Sequence, residues 1–352
     1  MLKVLHCIHS LEGGGAERQL TLLANMSCEY GMHAAIFCIN DKRSVALNGG
    51  MKIYRSKKSN KFNFSIFRSL HSAISDFHPQ VIHVWLPAAV TIPAMLVSAW
   101  WRIPCVFSFR NKMRFHRLLS YSEFIVATVF CSKVASNNPV NQSSTLFRWL
   151  YKQKSGETIF NAVEVGDSVQ RPCRERDRFR FLFVGRLTIQ KNILFLLEAL
   201  HGLIDKPNWH LDVFGVGNLE LRVRRAIERL TLGQHVTLRG YSDNIQKEMC
   251  NSDLLLFPSL YEGMPNVLLE ALAIGLPVVA ADIASSREII KDADCVYWFD
   301  CNSKEQLIDR VKQFLCDPSS CNTKIENGKR LAKKFNKEMM AAHYSNMYRA
   351  LI

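Results

Sequence analysis

The eleven cysteines of this chain form no Cys-x-x-Cys pair, and none shares a metal-ligand spacing with histidine. Scattered and odd in number, they exclude a disulfide framework and read as reduced, mostly buried thiols of the cytosol. Short repeats are absent. There is no Gly-x-x-x-x-Gly-Lys-Ser/Thr string, and the Gly-x-Gly-x-x-Gly dinucleotide fingerprint is missing. The opening MLKVLHCIHS is too short and too punctuated for a secretion signal, so a cytoplasmic location is expected.

A clear membrane span is also lacking. Val84 to Trp101 runs eighteen residues without a charge, which reaches the lower length limit for a span. Pro87 and Pro93 interrupt it, and the strand-like runs VIHVW (81–85) and CVFSF (105–109) flank it. Strand–helix–strand order explains the segment as an apolar helix packed on a parallel sheet.

What is present is an ordinary globular profile, with 48% hydrophobic and 22% charged residues in 352. That length predicts two domains. The formal charge of +14 is uneven: residues 1–170 hold 19 Lys+Arg against 9 Asp+Glu, residues 171–352 hold 26 against 22. A basic first half suits nucleic acid, an anionic membrane surface or phosphorylated small molecules, and charge alone does not choose.

Short apolar runs alternate with helix-period segments throughout. In the first half the runs are KVLHCI (3–8), HAAIFCI (33–39), VIHVW, CVFSF, FIVATVF (124–130) and TIFN (158–161). Helices are expected over Ala16–Tyr30 and Phe64–Phe77. The second half repeats the pattern with FRFLFVG (179–185), WHLDVFG (209–215), HVTLRG (235–240), LLLFPS (254–259), PVVAAD (277–282) and VYWF (296–299). Such runs, each followed by a helix, predict parallel sheets buried on both faces. The polar VQRPCRERDR (169–178) reads as a linker. The expected architecture is α/β, with two doubly wound domains over 1–170 and 171–330 and a basic helical segment over 331–352. Ligands of such sheets sit at the carboxyl ends of the strands.

Three motifs carry chemistry. LEGGGAER (11–18) lies between a strand and a helix, where three glycines allow close backbone approach and the helix start offers N–H groups to an anion. A plain flexible turn is the other reading. GRLTIQKN (185–192) occupies a second strand-to-helix turn, and Arg186 and Lys191 could converge there on one diphosphate and neutralise a departing nucleotide. The alternative is two solvated surface charges. In PSLYEGMPNVLLEALAIGLPVV (258–279), Glu262 falls in the loop after a strand and Glu270 about a turn inside a helix closed by Gly275 and Pro277. At about 1.5 Å of rise per helical residue the carboxylates lie on the order of 10 Å apart. That separation suits two parts of one extended ligand, and carboxylates accept from vicinal hydroxyls. Glu270 stands among apolar residues and needs a partner.

In order and spacing, GGGAER, GRLTIQKN and EGMPNVLLEALAIGLPVVAAD, supported by TIFNAVE (158–164), resemble glycosyltransferase family 4, retaining enzymes of the GT-B fold. The resemblance covers essentially the whole chain and is most specific in the second half. It implies two Rossmann-like domains facing across a cleft, with a nucleoside-diphosphate sugar held by the second and the terminal helix packing back on the first. Arg186 and Lys191 would grip the diphosphate. Glu262 and the backbone of Gly263, Met264, Pro265 and Asn266, with Val267 beside them, would hold the sugar, and Glu270 the ribose. Gly14 and Gly15 would approach the diphosphate. The family needs no metal or other cofactor, because the cationic pair does a metal's work. Retention is implied to proceed by front-face attack, with a donor phosphate oxygen taking the acceptor's proton.

Two positions depart from the family pattern. Many members have a histidine after the strand matching CVFSF, whereas this chain has Arg110, which can contact phosphate or the sugar but is no base at neutral pH. The usual glycine pair after the PVVAAD-like strand is replaced by Ala284-Ser285-Ser286. His83, inside VIHVW, is either an acceptor or sugar contact or a packed strand histidine, and His9 poses the same choice. For the pair Trp100-Trp101 with Arg102, core packing is preferred to a membrane-interface anchor. The cluster RSKKSNK (55–61) reads as a solvated loop, although a lipid-diphosphate acceptor would benefit from it.

The expected activity is transfer of a hexose or N-acetylhexosamine from a UDP- or GDP-sugar to a growing surface glycan of O-antigen, capsule or lipopolysaccharide type, on a polyprenyl-diphosphate carrier. Peripheral contact with the inner face of an anionic membrane accompanies it. One rival is a non-hydrolysing sugar-nucleotide epimerase of the same architecture. A basic nucleic-acid-binding protein is the other, but no nucleic-acid motif accompanies the charge and the carboxylates near Glu262 would repel a phosphate backbone, so no nucleic-acid partner is expected.

Overall fold

Apolar runs bounded by turn residues become strands here wherever both faces can be covered. The computed structural model describes residues 1–11, 14–40, 47, 50–56, 64–86, 88–110, 125–139, 145–164, 178–205 and 208–352. These divide into two units, Met1–Ala162 with Asn336–Ile352, and Val163–Phe335. Most of the polar stretch 169–178 lies outside the described residues.

The first unit runs β1 (Leu2–Ser10), α1 (Gly15–Met26), β2 (Met32–Asn40), β3 (Lys52–Arg55), α2 (Phe64–Phe77), β4 (Val81–Trp85), α3 (Thr91–Trp100), β5 (Cys105–Phe109), α4 (125–130), β6 (Lys133–Ser136), α5 (Thr145–Gln153) and β7 (Glu157–Thr158). The strands form one parallel sheet in the order β3-β2-β1-β4-β5-β6-β7. Every residue of β4 and β5 is buried, as a strand covered on both faces requires. One face packs against Ile66, Leu70 and Ile74 of α2, Ala94 and Met95 of α3, Ala127 of α4 and Leu150 of α5. The other face packs against Leu20 and Leu23 of α1 and against the C-terminal segment, through Met340, Ala341, Tyr344, Met347 and Tyr348.

The second unit runs β8 (Phe179–Val184), α6 (Ile193–Leu200), β9 (Trp209–Phe214), α7 (Glu220–Arg229), β10 (Val236–Gly240), α8 (Ile245–Cys250), β11 (Leu254–Phe257), α9 (Asn266–Ile274), β12 (Val278–Ala281), α10 (Ala284–Ile290), β13 (Tyr297–Phe299), α11 (Lys304–Cys316) and α12 (Asn322–Ala332). Its parallel sheet has the order β10-β9-β8-β11-β12-β13. The chain then ends in α13 (Lys337–Arg349), which belongs to the first unit. Asn336 caps α13 by accepting from the Met339 N–H at 2.7 Å. Ser345 and Arg349 both donate to the Tyr30 carbonyl at 3.0 Å.

Both sheets reverse direction once, between β1 and β4 and between β8 and β11. At such a reversal the flanking helices leave on opposite faces, opening a crevice outside the carboxyl ends of the two strands.

Three expectations are corrected. Residues 125–130 are helical rather than extended, and the neighbouring strand is Lys133–Ser136. A continuous apolar run does not distinguish the two, and the buried pair Ala127 and Cys131 follows helical spacing. The short strand Lys52–Arg55 was not apparent in a polar stretch and sits on the sheet edge. Trp100 is 83% exposed and Trp101 36%, so the pair is not core packing. Among the described residues no helix is long and apolar enough to cross a membrane. The uncharged run 84–101 contributes the ten-residue α3 instead.

Candidate functional site

The reversal in the second sheet brings together two loops seventy residues apart in sequence. After β8 the chain passes Gly185 and Arg186 into a 3-10 turn, Ile189–Lys191. Asn192 closes that turn in the left-handed region at φ 54° and starts α6. Asparagine tolerates this conformation better than other side chains do. After β11 the chain passes Glu262 to Pro265 and enters α9 without a side-chain cap.

Gln190 fastens the two loops. Its carbonyl accepts from the Leu260 N–H at 2.9 Å, and its side-chain amide donates to the Tyr261 carbonyl at 2.8 Å and to Glu262 Oε2 at 3.3 Å. Lys191 completes the junction. Its Nζ lies 2.6 Å from Glu262 Oε1 and 5.6 Å from the centre of the Phe257 ring. The Lys191 side chain retains 16% exposure and that of Glu262 8%, so this charge-assisted bond is largely shielded from water. The Lys191 stem lies over Gly185, where an added Cβ would meet Lys191 Cδ at 3.1 Å.

A third loop supports the first. Gly215, at φ 141°, approaches so near that a Cβ would lie 2.0 Å from the Gly185 carbonyl oxygen, and a Cβ at Gly217 would lie 2.4 Å from the Leu187 carbonyl oxygen. Gly185 N–H donates to Phe214 and Leu187 N–H to Val216, both at 3.0 Å. Only glycine permits this contact, and it fixes the backbone that carries Arg186. The guanidinium of Arg186 is exposed, and no hydrogen bond or ion pair among the described residues holds it.

Gly263, Met264 and Pro265 are buried, while Asn266 and Val267 are half-buried at the start of α9. Glu270 is buried within α9 between Leu269 and Ala271. The helix ends at Gly275 in the left-handed region at φ 78°. The adjacency of β8 and β11 therefore sets the loop bearing Arg186 and Lys191 beside the loop of Glu262 and the Gly263–Val267 turn, with Glu270 on the helix that follows. Ser285 and Ser286, at the position of the missing glycine pair, are buried in α10.

In the first unit, Gly14 caps α1 with extended backbone and Gly15 begins the helix. Gly13 lies outside the described residues. The Glu17 carboxylate folds back over the turn, since a Cβ on Gly14 would meet Glu17 Oε2 at 2.3 Å. A carboxylate there complements the helix N-terminus and occupies the place a bound anion would take.

Arg110 directly follows β5 and is 5% exposed. Its guanidinium stacks on Trp85 at 4.0 Å, donates to Tyr344 Oη at 2.7 Å and donates to Asn161 Oδ1. Among the described residues its Nε–H has no partner and no carboxylate forms an ion pair with it. Burial lowers its proton affinity from the ordinary arginine value. Asn161 is held in place because Gln19 exchanges two hydrogen bonds with the Ala162 backbone, at 2.7 and 2.8 Å.

His83 is fully buried, with Nδ1 2.6 Å from Tyr348 Oη and Nε2 2.6 Å from Ser108 Oγ. Burial, with His6 and Arg110 nearby, holds its pKa well below the ordinary value, so it is neutral. Both nitrogens are taken by protein hydroxyls, and the side chain is an interior link between the sheet and α13. His6, paired with it in register, is pushed down to about 3 by burial and accepts from Trp85 Nε1 at 3.1 Å. His9 is half-buried at the end of β1.

Sequence reasoning missed Gln190, Gly215, Gly217 and Glu17. Gly-x-Gly directly after WHLDVF was a usable signal for the third loop. Nothing local marked the Gln190 tie or the Arg110 surroundings, whose members come from four distant segments.

Residues 169–331 match the sequence model described as glycosyl transferases group 1. The chain is 25% identical over 358 residues to the N-acetylgalactosamine-N,N'-diacetylbacillosaminyl-diphospho-undecaprenol 4-alpha-N-acetylgalactosaminyltransferase of Campylobacter jejuni, covering 95% of this chain and 96% of that protein. It is 38% identical over 117 residues to an uncharacterized glycosyltransferase of Methanocaldococcus jannaschii, over 33% of this chain and 29% of that protein. The chain thus spans nearly all of the first and less than a third of the second. A solved structure from Anabaena, Alr3699/HepE in complex with UDP and glucose, superposes with a TM-score of 0.83 at 17% identity, over 99% of this chain and 100% of that one. Together with the two doubly wound sheets, these similarities establish the GT-B fold and support a glycosyltransferase whose residues 169–331 carry the group 1 pattern.

Proposed function

We propose that this protein is a retaining, metal-independent glycosyltransferase of the family 4 type. It moves a hexose or N-acetylhexosamine from a UDP- or GDP-sugar to a growing surface glycan on a polyprenyl-diphosphate carrier. It works at an anionic membrane surface on the cytoplasmic side. The observation that carries this reading is the shielded Lys191–Glu262 pair at the sheet reversal, with Arg186, which no described residue engages, in the same loop as Lys191. An ion pair is complete with one cation; a diphosphate would also draw on the second cation that Arg186 supplies.

In this reading the pair is the resting state of the donor site. An arriving diphosphate takes Lys191 and Arg186, with the uncapped start of α9 adding its N–H groups. Glu262, released from Lys191, accepts from the sugar hydroxyls together with the Gly263–Asn266 backbone, and Val267 packs beside them. Glu270 accepts from the ribose. Gly14 and Gly15 are assigned to a donor phosphate, as the resemblance to family 4 implies. The bond from the anomeric carbon to the phosphate oxygen breaks, and the electron pair leaves with the nucleoside diphosphate. The acceptor hydroxyl forms the new bond on the same face and passes its proton to a donor phosphate oxygen. Lys191 and Arg186 stabilise the charge that develops on the leaving group. Arg110 is assigned to a phosphate or the transferred sugar; His83, enclosed as it is, supports it through the aromatic cluster.

Incubation with isotopically labelled UDP- and GDP-sugars, with and without lipid-diphosphate acceptors, tests the reading. Acceptor-dependent transfer with the donor's anomeric configuration kept in the product is expected. Isomerisation of the sugar nucleotide without acceptor would instead establish the epimerase, and inverted product would remove the front-face mechanism.

A further inference from the structure

Two of the corrections above fall on one surface. Strands β4 to β7 follow one another in the sheet, so α3, α4 and α5 step across the same face in the same direction as successive right-handed crossovers. Their inner side chains, Ala94, Ala127 and Leu150 among them, build the core. Their outer sides present Trp100, Trp101, Ile125, Val129, Phe130 and Trp149 to solvent. Trp100, Val129 and Trp149 are 83%, 63% and 53% exposed. Scattered exposed hydrophobics need no explanation, but five on three adjacent helices, with Trp101 directly after the first of them, do.

The charge of this region is as one-sided as its surface is apolar. The three helices and the turns that close them carry the cations Arg102, Arg148, Lys152 and Lys154. Arg102 follows Trp101, and Lys152 lies on α5 beyond Trp149; both are exposed. No acidic residue occurs in α3, α4 or α5.

We propose that the outer side of α3, α4 and α5 is a docking surface for an anionic lipid bilayer. Tryptophan rings settle at the boundary between headgroups and acyl chains, and neighbouring cations are drawn to anionic headgroups. The near-absence of carboxylates removes the repulsion that would oppose this. The same excess of positive charge disfavours a second copy of the chain as the occupant. This surface locates the membrane contact included in the reading above, but it does not depend on donor chemistry, because partition is measured without transfer.

The test is co-sedimentation of the full chain with vesicles of phosphatidylcholine alone and of phosphatidylcholine with phosphatidylglycerol. Sedimentation with the anionic vesicles, weakening as salt is raised, is expected. Trp100→Ser with Trp149→Ser should lower the partition coefficient roughly tenfold. Arg102→Glu with Lys152→Glu should lower it by about fivefold or more per cation. All four positions are exposed, so melting temperature and the response to sugar nucleotides should stay as in the wild type. Equal sedimentation with neutral vesicles would overturn the proposal, as would none with anionic vesicles or undiminished binding by the four-site variant. A dimer that the tryptophan substitutions dissociate, without vesicle binding, would overturn it in favour of a second copy.

Discussion

Replacing Lys191 by methionine removes the ammonium and keeps most of the stem that lies over Gly185. Glu262 is then left in a nearly enclosed position with the Gln190 amide at 3.3 Å as its remaining side-chain donor. Removing one partner of a fully buried ion pair costs about 3–5 kcal/mol. Residual exposure of Lys191 and the Gln190 contact reduce this to about 1–3 kcal/mol, the range for leaving a buried polar or charged group unsatisfied. For a unit of this size each kcal/mol lowers the melting temperature by about 2–4 °C. Glu262→Gln strands the ammonium instead and should cost a similar amount. The double variant removes both charges and should recover about 1–2 kcal/mol of the summed loss. Urea unfolding of the wild type, both single variants and the double variant measures this coupling directly. Single effects that add to within about 0.5 kcal/mol would refute the view that the two charges stabilise one another at the sheet reversal.

Further outcomes follow from other parts of the structure. Arg186→Ala should leave stability within about 0.5 kcal/mol of the wild type, since no described residue holds its guanidinium, while transfer measured with saturating acceptor falls at least roughly tenfold. Gly215→Ala places a Cβ against the Gly185 carbonyl and should destabilise the second unit by about 2 kcal/mol or more, read as a shift in urea midpoint. Arg110→Lys loses both the stack on Trp85 and the forked contacts to Asn161 and Tyr344; a loss of about 1–2 kcal/mol is expected in thermal unfolding. Burial keeps the pKa of His6 near about 3 and that of His83 well below the ordinary range. The unfolded chain therefore takes up protons below about pH 6.5 that the folded chain refuses, and stability falls with pH, by about 2 kcal/mol per histidine at pH 5. His83→Gln should flatten the dependence of melting temperature on pH between 6.5 and 5, and an unchanged slope would contradict neutral burial.

Strands that are covered on both faces were legible because their composition leaves no other use for them. VIHVW and CVFSF became β4 and β5 residue for residue. The run 124–130 deceived for the same reason: apolar length signals burial, and a helix whose outer side is also apolar mimics a core strand. Lys133–Ser136 is hard to read because its terminal lysine and serine mask a four-residue interior strand. Arg186, Lys191, Glu262 and Glu270 could be singled out, since each lies near the carboxyl end of a recognisable strand or at the helix behind it. Their pairing could not be read. Lys191 and Glu262 looked like separate contacts on a ligand, and only the adjacency of β8 and β11 makes them partners. Arg110 stood out as an unusual cation, but its aromatic stack and its bond to α13 depend on residues 25 and 234 positions away.

The most direct test of the account is thermal unfolding of the wild type across UDP, GDP and their hexose and N-acetylhexosamine derivatives. A ligand that binds only the folded chain raises its apparent stability, by about 2.7 kcal/mol at a hundredfold excess over Kd. One nucleotide series should raise the melting temperature of the wild type, and Lys191→Met and Arg186→Ala should each reduce the rise. No rise with any nucleoside diphosphate or sugar nucleotide, or an undiminished rise in both variants, would contradict this expectation.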